Sequence, residues 1–514
     1  MEDSHEIAQT GVFVHLCSKA LESIQTHYLV YFLALALLLL PKYIREHRLR
    51  RALSSLPFVG DDGSSIGKCV ELGSKKYPDT PFRVPTIPQP TVIYPLEVLD
   101  EYKDLPENKA SLRRVLYDSF GGDYTSLGQY SHAMLSAVQI DLTRNIAKTL
   151  NTLNDEVKFA FDQNIGTMKD WQAVVLEPKI LRIIALLNGR VLVGLPLSRD
   201  EKWIEATTQY TATSYKFGNK LKGYPWGTRW AVGPFIYRTD VKPHQDAVAG
   251  MLKPLIEQQM ARHAKSVDDD DAEVEAGEMI GWTMSYYKPG EMTYHRIALD
   301  QLMISFSSIH TSTVTLMHAI YDLAARPEYA EPLREEIRSN SVNGKLDKHS
   351  IAQLKKLDSF IKESQRLNPQ TALAMLRKTT NNVKLSVGPK LPKDTIIAVS
   401  GWQSNNGPAI VDADRFDGFR YEKMRAQPGN ELKFQLANTG PYATAFGFGA
   451  HACPGRFFAI NEMKIIFAYL LLNYDIKLRD GQGRPKNLEK PTGTIYPDPS
   501  VEILFKSRQP EAGL

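Results

Sequence analysis

The sequence predicts a mainly α-helical protein with a small β region, preceded by one N-terminal transmembrane helix. Residues 28–40 form an uncharged apolar run that basic residues follow. Most of the remaining chain has helical period, most clearly the stretch 293–325, which contains no proline or glycine. Residues 81–95 alternate β-branched and aromatic residues with prolines, a pattern typical of short edge strands. We expect residues 1–51 to be a membrane anchor with its basic flank and residues 52–514 to be one folded domain.

The composition is that of an ordinary globular chain. Its 514 residues are 43% hydrophobic and 23% charged, which excludes wholesale disorder, collagen and coiled coil. The net charge is +4 and the body of the chain has no long run of lysine or arginine, so nucleic acid is not expected as a partner. The scattered cysteines Cys17, Cys69 and Cys453 are too few for a disulfide framework or a four-thiolate zinc site. We therefore expect the folded part to lie in a reducing compartment.

The N-terminal apolar run is long enough for one membrane span. It reads YLVYFLALALLLL from Tyr28 to Leu40 and extends to about 18 residues with its flanks. Basic residues crowd positions 42 to 51 and acidic residues precede the run, so the positive-inside rule places the chain after residue 50 in the cytosol. The acidic start and the Pro41-Lys42 exit differ from a cleaved signal peptide. The alternative is a buried core helix, which short apolar runs also form.

The stretch Thr293 to Ala325 predicts one long helix that ends at Arg326-Pro327. Apolar side chains fall on all of its faces from 302 to 323, so its middle is expected at the centre of the domain. Two interpretations of the polar residues in that middle stay open: their hydroxyls bond to preceding carbonyls of the helix, or they serve a ligand packed alongside. These polar residues are Ser307, Ser308, His310, Thr311, Ser312 and Thr313.

A second helix is predicted over 351–367, before Pro369. Glu363 and Arg366 lie three residues apart on it, so they share a face and can pair. Taken alone, such a pair is an ordinary surface ion pair of small energetic value.

The most specific pattern lies at residues 446–456, which read FGFGAHACPGR. Its glycines allow tight turns and close approach of the backbone. Pro454 suits the first position of a helix that continues to about Tyr474, so Cys453 is predicted at a helix N-terminus. The partial positive charge there lowers a thiol pKa, as a metal-ligating or nucleophilic sulfur requires. The alternative is a small buried cysteine in a glycine-rich turn.

The spacing Phe-x-x-Gly-x-His-x-Cys-x-Gly resembles the haem-thiolate loop of the cytochrome P-450 family. Glu363-x-x-Arg366 is similar to the Glu-x-x-Arg helix of that family, and the long helix is similar to its oxygen-binding helix. Ala413-Asp414-Arg415-Phe416 resembles the segment whose arginine, here Arg415, closes a Glu-Arg-Arg cluster under the haem loop. The resemblance extends over roughly residues 55–506 and is nearest in style to fungal membrane-bound enzymes of secondary metabolism.

The resemblance implies a heme b cofactor with the thiolate of Cys453 as axial iron ligand. It places Phe446, Gly449 and Gly455 in the haem-binding loop. It also implies that His451 bonds one haem propionate.

Further site residues follow from the same resemblance. Arg377, ten residues beyond the Glu-x-x-Arg helix, is implied to contact the other propionate. Thr311 matches the threonine that relays protons during oxygen activation. His310 stands where an acid is usual, and we expect it to take part in proton transfer; Ser307-Ser308 stand where an Ala-Gly pair is usual.

The implied fold is the mainly helical P-450 architecture, with its small β region formed by residues 81–95, 384–400 and 490–506. The implied activity is oxidation of a lipophilic, terpenoid-like metabolite with dioxygen. No GxGxxG opens a strand–helix unit, so electrons are expected from NADPH-cytochrome P-450 reductase, with Arg456 and Lys464 in its docking face. The expected location is the endoplasmic reticulum membrane, with the catalytic domain cytosolic.

Alternatives to this function are kept. The substrate is a polyketide- or alkaloid-derived metabolite in one of them. In another the chain is a haem-binding paralogue without oxygenase activity, and in a third it is a membrane-tethered binding protein without haem. The substrate pocket is expected to be apolar, held by shape and free of a charge cluster for a carboxylate or phosphate. Its expected lining residues are Phe306, Ile309, Leu373, Met375 and Ile495.

Overall fold

The computed structural model describes residues 43–508 except 61, 266–276, 343 and 409, together with the separate positions 28, 30, 33 and 40. The predicted membrane span therefore lies almost entirely outside the described residues. Among the residues that are described, no helix combines the length and the apolar character needed to cross a bilayer. The predicted anchor stays a prediction.

The described chain is mainly helical. Its longer helices are α1 (Ile66–Lys76), α2 (Leu112–Phe120), α3 (Ile146–Asn164), α4 (Leu176–Leu192), α5 (Glu201–Gly223), α6 (Arg229–Asp240), α7 (Lys242–Lys265), α8 (Tyr294–Ala324), α9 (Ala330–Asn340), α10 (Lys355–Leu367) and α11 (Arg456–Asn473). Short helices lie at Leu99–Tyr102, Gly122–Thr125, His132–Ser136, Leu142–Arg144, Glu278–Met284, Lys348–Gln353, Gly401–Asn405 and Arg420–Arg425. The strands are β1 (Phe82–Val84), β2 (Thr91–Tyr94), β3 (Ala110–Ser111), β4 (Gln172–Val175), β5 (Leu373–Thr379), β6 (Ile396–Ser400), β7 (Tyr474–Lys477), β8 (Asn487–Glu489), β9 (Ile495–Pro497) and β10 (Glu502–Ser507).

Helix α8 runs through the centre of the domain, as the pattern of its residues predicts. The hydroxyl of Thr293 caps its N-terminus by accepting the backbone N–H of Arg296 at 3.1 Å. The helix ends at Ala324, just before Arg326-Pro327. It packs against α4, α5, α7, α10 and α11, and most of its side chains are buried. This arrangement places the residues of its middle inside the molecule.

The helix predicted over 351–367 is divided into two. Lys348–Gln353 is followed by Leu354, whose ψ of 70° takes the backbone out of helical geometry, and α10 then begins at Lys355. The carboxylate of Glu336 on α9 accepts the backbone N–H groups of Lys356 and Leu357 at 2.7 and 2.9 Å. A cap supplied by another helix satisfies the free N–H groups of α10, and local sequence does not reveal such a cap.

The β region is more divided than the sequence predicts. One five-stranded sheet has the order β1-β2-β6-β5-β3, in which β2 and β6 are parallel and the other neighbours are antiparallel. A second sheet has the order β4-β10-β7, and β8 pairs with β9 in a third. The predicted ranges 81–95 and 490–506 do contain strands, but those of 490–506 belong to two different sheets. Within 384–400 only 396–400 is a strand, and residues before it contribute a single bridge between Val383 and Leu391.

Strand β5 is not among the predicted β segments, although it contains the predicted lining residues Leu373 and Met375 and the predicted propionate contact Arg377. It carries Arg377 and Lys378 inside an otherwise apolar run, which weakens its strand pattern. A bulge separates Ala374 from Arg377, and Met375 between them has a φ of +53°. The bulge changes the direction of the side chains at this point in the strand, next to the site described below.

Candidate active site

The loop that carries Cys453 is closed by its own backbone. The N–H of Cys453 donates to the carbonyl of Phe446 at 2.7 Å, and the N–H of Ala452 donates to Gly449 at 3.1 Å. Gly447 and Gly449 both have positive φ, +70° and +74°. A Cβ on Gly449 would lie 2.7 Å from Asp104 Oδ1, so a larger residue would collide with the neighbouring segment. The glycines thus allow the tight path that holds the cysteine.

Helix α11 begins at Arg456, two residues later than predicted, with Gly455 as its N-cap residue. The backbone N–H groups of Gly455 and Arg456 lie near enough to the sulfur of Cys453 to favour its charged form. Burial raises the pKa of the Cys453 thiol, while these N–H groups and the Arg456 charge oppose the rise. The predicted lowering of this pKa is therefore wrong for the chain alone, because burial outweighs the helix end. A metal ion bound at the sulfur would supply positive charge that favours the thiolate.

One face of α8 is open although the helix lies in the core. Ser307 and Thr311, one turn apart, are exposed, whereas Ile309, Ser312 and Thr313 are buried. Each hydroxyl donates to the carbonyl four residues earlier: Ser307 to Met303 at 2.9 Å and Thr311 to Ser307 at 2.7 Å. The first interpretation of the polar residues is therefore confirmed for these two groups. Their exposure adds that this face borders accessible space, as a ligand alongside the helix requires.

The helix backbone makes an additional contact beside this open face. The side-chain amide of Gln370 donates to the carbonyl of Thr311 at 2.8 Å and to the hydroxyl of Thr315 at 2.9 Å. Thr315 also donates to the Thr311 carbonyl, at 3.1 Å. The segment after α10 is therefore fastened to α8 at Thr311, which bounds the open space on one side.

His310 points to a different part of the molecule. Its Nε2 lies 3.3 Å from the carbonyl of Thr208 on α5, and burial lowers the pKa of the imidazole. A neutral ring that donates to this carbonyl ties α8 to α5. Successive helical residues are about 100° apart around the axis, so His310 does not share the open face of Thr311. The part predicted for His310 in proton transfer stays a prediction.

Replacing Thr311 by alanine is expected to lower the product formed per NADPH oxidised by about tenfold, with hydrogen peroxide formed instead. The reason is that Thr311 supplies a hydroxyl on the open face of α8. The haem spectrum is expected to stay unchanged. Thr313→Ala is the matched control, because Thr313 makes the same bond to the carbonyl four residues earlier, at 2.8 Å to Ile309, but is buried. Equal coupling in the two variants contradicts the assignment.

Glu363 lies at the centre of a buried ion cluster. Its carboxylate, 0% exposed, accepts two hydrogen bonds from Arg366, at 2.8 and 2.9 Å. A third comes from Arg420 Nε at 3.0 Å, and the backbone N–H of Asp417 adds a fourth at 3.1 Å. The predicted pair of Glu363 and Arg366 is thus formed and is buried, not superficial.

The arginine that completes the cluster is Arg420, and the prediction of Arg415 is wrong. Phe416 turns into the core between Tyr329 and Phe360, so the adjacent Arg415 side chain points outward and is exposed. The carbonyl of Arg415 accepts a bond from Arg420 at 2.9 Å instead. Arg366 also donates to the carbonyl of Asn405 at 3.1 Å. The cluster therefore holds the segment 405–420 against α10.

The Glu363 cluster is connected to the cysteine loop through Ser404, the residue next to Asn405. The hydroxyl of Ser404 donates to the carbonyl of Pro441 at 2.8 Å and lies 2.9 Å from the hydroxyl of Thr444. The carbonyl of Thr444 accepts the N–H of Gly447 at 2.9 Å, at the start of the loop. The Glu363 cluster and the loop are thus linked by a short chain of hydrogen bonds.

Arg377 is a buried cation without a counter-charge. Arg377 lies on β5 and is only 3% exposed. Its Nη1 donates to the carbonyl of the neighbouring Leu376 at 3.0 Å. Its Nε is buried without a hydrogen-bond partner, and no carboxylate within the described residues pairs with it. An unpaired buried guanidinium is costly, so the site fits an anionic group such as a haem propionate.

His451 is engaged by another segment. Its Nε2 lies 3.0 Å from the carbonyl of Leu105, and its Nδ1 lies 3.6 Å from the carboxylate of Glu107. Both ring nitrogens thus face acceptors of the 105–107 segment. The bond from His451 to a propionate stays a prediction.

The predicted docking role of Lys464 is not supported by its position. Lys464 is 5% exposed, and its Nζ lies 2.5 Å from Asp358, so it is part of the core. Arg456 donates to the carbonyl of Cys453 at 2.9 Å and lies over the ring of Phe457. Arg456 therefore supports the loop and is only partly accessible.

Glu462, a buried carboxyl that the sequence analysis did not identify, links α11 to α4. Glu462 on α11 is 0% exposed and accepts a bond from the amide of Asn188 on α4 at 2.8 Å. The second carboxylate oxygen of Glu462 is buried and has no hydrogen-bond partner, and the same is true of the Ser312 hydroxyl on α8. The Ser312 hydroxyl is nevertheless close enough to Glu462 to favour the charged carboxylate. Burial nevertheless raises the pKa of Glu462 well above its ordinary value. A glutamate within the apolar run FFAINEMKIIF was the available signal.

Glu462→Gln is expected to fold and bind haem as the wild type does, because glutamine resembles the neutral carboxyl and keeps an acceptor for Asn188. Glu462→Ala removes that acceptor and leaves a cavity, so we expect it to lose about 2–4 kcal/mol of stability. Urea unfolding of the haem-loaded proteins measures the difference. Equal loss in the two variants would show that a charged Glu462 is required.

Part of the expected pocket lining belongs to the core. Ile309 is 2% exposed, and two helical steps of about 100° place it opposite Thr311. Leu373 and Met375 are also buried, at 2% and 7% exposure. Phe306 and Ile495 are only partly buried. The prediction that Ile309 lines the pocket is wrong, because its side of α8 packs against other helices.

Comparisons with known proteins identify the family to which this chain is similar. Residues 215–505 match the family model of cytochrome P450. Cytochrome P450 monooxygenase BOA7 of Botryotinia fuckeliana is 39% identical over 481 residues, covering 88% of this chain and 90% of the relative. Cytochrome P450 monooxygenase ascG of Acremonium egyptiacum is 37% identical over 489 residues, with 88% and 91% covered. Cytochrome P450 monooxygenase ataF of Aspergillus terreus is 37% identical over 454 residues, with 87% and 90% covered.

The residues present fit a thiolate-bound haem. Cys453 offers a partly accessible sulfur next to the start of α11, Arg377 offers a buried cation that no described carboxylate pairs with, and the Thr311 face of α8 is accessible. When bound, the haem supplies dioxygen activation and insertion of one oxygen atom into substrate. The motif, its geometry and the relatives lead to one conclusion: the chain belongs to the cytochrome P450 family and is a haem-thiolate monooxygenase.

Proposed function

We propose that this enzyme oxidises a bulky, lipophilic, terpenoid-like secondary metabolite with dioxygen and electrons from NADPH-cytochrome P450 reductase. The observation that carries the proposal is the exposed face of α8 at Ser307 and Thr311, within a helix most of whose side chains are buried. Phe306 and Ile495 are the apolar residues of the expected lining that stay partly accessible. A pocket of this kind selects substrate by shape and by the burial of apolar surface.

Each residue of the site has a defined part in this proposal. Cys453 holds the iron, and Arg377 neutralises a propionate. The Thr311 hydroxyl donates a hydrogen bond to the Ser307 carbonyl. It is also the hydroxyl on the open face of α8 that can pass a proton to a bound ligand. The Glu363 cluster and the Glu462 contact keep the cysteine loop and α8 in position.

The proposed location is the cytosolic side of the endoplasmic reticulum membrane, with residues 1–51 as anchor. The apolar sequence 28–40 supports it, and Trp230 and Phe235 on α6 are 77% and 72% exposed. Deleting residues 1–44 is expected to release a domain that still binds haem and is no longer integral to microsomes. A full-length protein extracted by carbonate, or a reporter at residue 60 that becomes glycosylated in the lumen, contradicts the topology.

The decisive experiment co-expresses the full chain with the reductase and supplies lipophilic metabolites of terpenoid, polyketide and alkaloid type. Type I spectral shifts report binding, and mass gain of one oxygen atom reports oxidation. Oxidation confined to the polyketide or alkaloid arm replaces the terpenoid proposal with that class. Reductase-dependent NADPH consumption without any oxidised product favours a haem-binding paralogue that does not oxygenate.

A further inference from the structure

A closed ring of contacts surrounds the open face of α8. On one side, aromatic rings lead from α8 outward: Phe306 packs edge-on against Phe120 with ring centroids 5.1 Å apart, and Phe120 packs against Tyr215 of α5 at 5.9 Å. On the other side, Gln370 bonds to the carbonyl of Thr311, and its own carbonyl accepts the N–H of Ile495 at 2.9 Å. One series of contacts therefore leads from α8 to Tyr215, and the other leads from Thr311 to Ile495.

Lys490 joins the two series of contacts. It precedes the β9 strand that carries Ile495, and its backbone N–H donates to the carbonyl of Thr494 at 2.9 Å. Its Nζ lies 5.2 Å from the ring centre of Tyr215 and 5.2 Å from that of Tyr496. The exposed ammonium group therefore lies where the two series of contacts that start near Thr311 meet.

The charge of Lys490 is not neutralised by any carboxylate among the described residues. The neighbouring Glu489 instead accepts the backbone N–H of Gly67 at 2.7 Å. The hydroxyls of Tyr215 and Tyr496 form no hydrogen bond with another described residue. One cation and two phenolic donors are therefore available to an acceptor.

We propose that Lys490 binds a carboxylate of the substrate, while the apolar body of the substrate lies along the Phe306–Phe120–Tyr215 wall toward Thr311. This inference rests on the proposed monooxygenase function and adds to it one acidic group at the end of the substrate remote from the oxidised carbon. An ammonium group pairs with a carboxylate through charge-assisted hydrogen bonds, and the rings of Tyr215 and Tyr496 hold the Lys490 ammonium in place. The contact fixes one end of the molecule, so it also selects which carbon reaches the iron.

The test compares lipophilic carboxylic acids with their methyl esters in microsomes that contain the full haem-loaded chain. The probes are abietic acid with methyl abietate and lauric acid with methyl laurate, titrated by the type I spectral shift. We expect wild type to bind at least one acid about tenfold more tightly than its ester. Lys490→Met is expected to lose this preference by weakening acid binding alone, and Lys490→Arg is expected to keep it. Lys486→Met is the control, because Lys486 is an exposed lysine just before β8 that contacts neither tyrosine.

The outcomes separate recognition from a structural latch and from failure of the proposed function. The proposal is overturned when no acid is preferred by the wild type, or when Lys490→Met keeps the preference. A change that affects acid and ester equally assigns Lys490 to holding α5 against the β8–β9 hairpin, which also overturns it. Absence of the thiolate carbon monoxide spectrum in the wild type would instead reject the proposed function.

Discussion

Replacing Cys453 by serine is expected to abolish the thiolate carbon monoxide spectrum and all monooxygenase activity. Serine is close to cysteine in size, but a serine hydroxyl is a far weaker acid than a thiol and does not replace the thiolate on iron. The loop itself does not depend on the sulfur, because its closing bond joins the Cys453 backbone to Phe446. We therefore expect a folded protein that lacks the thiolate ligand of the iron.

Cys69→Ser is the matched control for this variant. Cys69 is also a free buried thiol, 0% exposed, and its sulfur donates to the carbonyl of Ser64 at 3.6 Å. It lies in α1, away from the loop, so the serine variant is expected to keep the spectrum and the activity. The absorption spectrum of the reduced protein with carbon monoxide measures the difference. Wild-type activity in Cys453→Ser would remove the basis of the whole assignment.

Arg420→Ala and Glu363→Ala are expected to yield haem-poor, aggregated protein, whereas Arg415→Ala is expected to behave as wild type. Removing one partner from a buried ion cluster leaves an uncompensated charge and costs about 3–5 kcal/mol, a large part of a typical folding free energy of about 5–15 kcal/mol. Arg420 also donates to the carbonyls of Asp412 and Arg415, so its loss releases that segment too. An exposed arginine such as Arg415 contributes within about 0.5 kcal/mol.

The ratio of haem to protein after purification and the soluble fraction on expression measure this contrast. Arg415→Ala serves as the control, because it removes the same kind of side chain five residues away. Soluble, haem-replete Arg420→Ala protein would show that Glu363 needs only Arg366. Loss of haem in Arg415→Ala instead would restore the assignment made from sequence.

Pattern alone predicts the features that depend on neighbours in the chain. The bounds of α8 follow from its uninterrupted period, its Thr293 cap and the proline after it. The cysteine loop follows from glycines placed where positive φ is needed. The pairing of Glu363 with Arg366 follows from their spacing on one helix. Such features are local, so the residue types and spacings contain most of the information.

Spacing is less informative where an apolar residue decides the direction of its neighbours. The Arg-Phe resemblance selects Arg415, yet Phe416 packs into an aromatic cluster and turns Arg415 outward. Similarly, the apolar residue Ile309 is typical of pocket lining but faces other helices. In both cases packing between distant segments determines which side chain reaches the site.

The sequence by itself determined the mainly helical class, the central helix, the cysteine loop and the candidate iron ligand. Only the tertiary structure decided that Arg420 completes the Glu363 cluster, that Arg377 is a buried cation with no described carboxylate beside it, and that Lys490 contacts both Tyr215 and Tyr496. It also decided the direction of the Cys453 pKa, which burial raises against the helix end. The physical reason is that ion pairing, desolvation and side-chain accessibility depend on groups brought together from distant parts of the chain, and no local spacing encodes them.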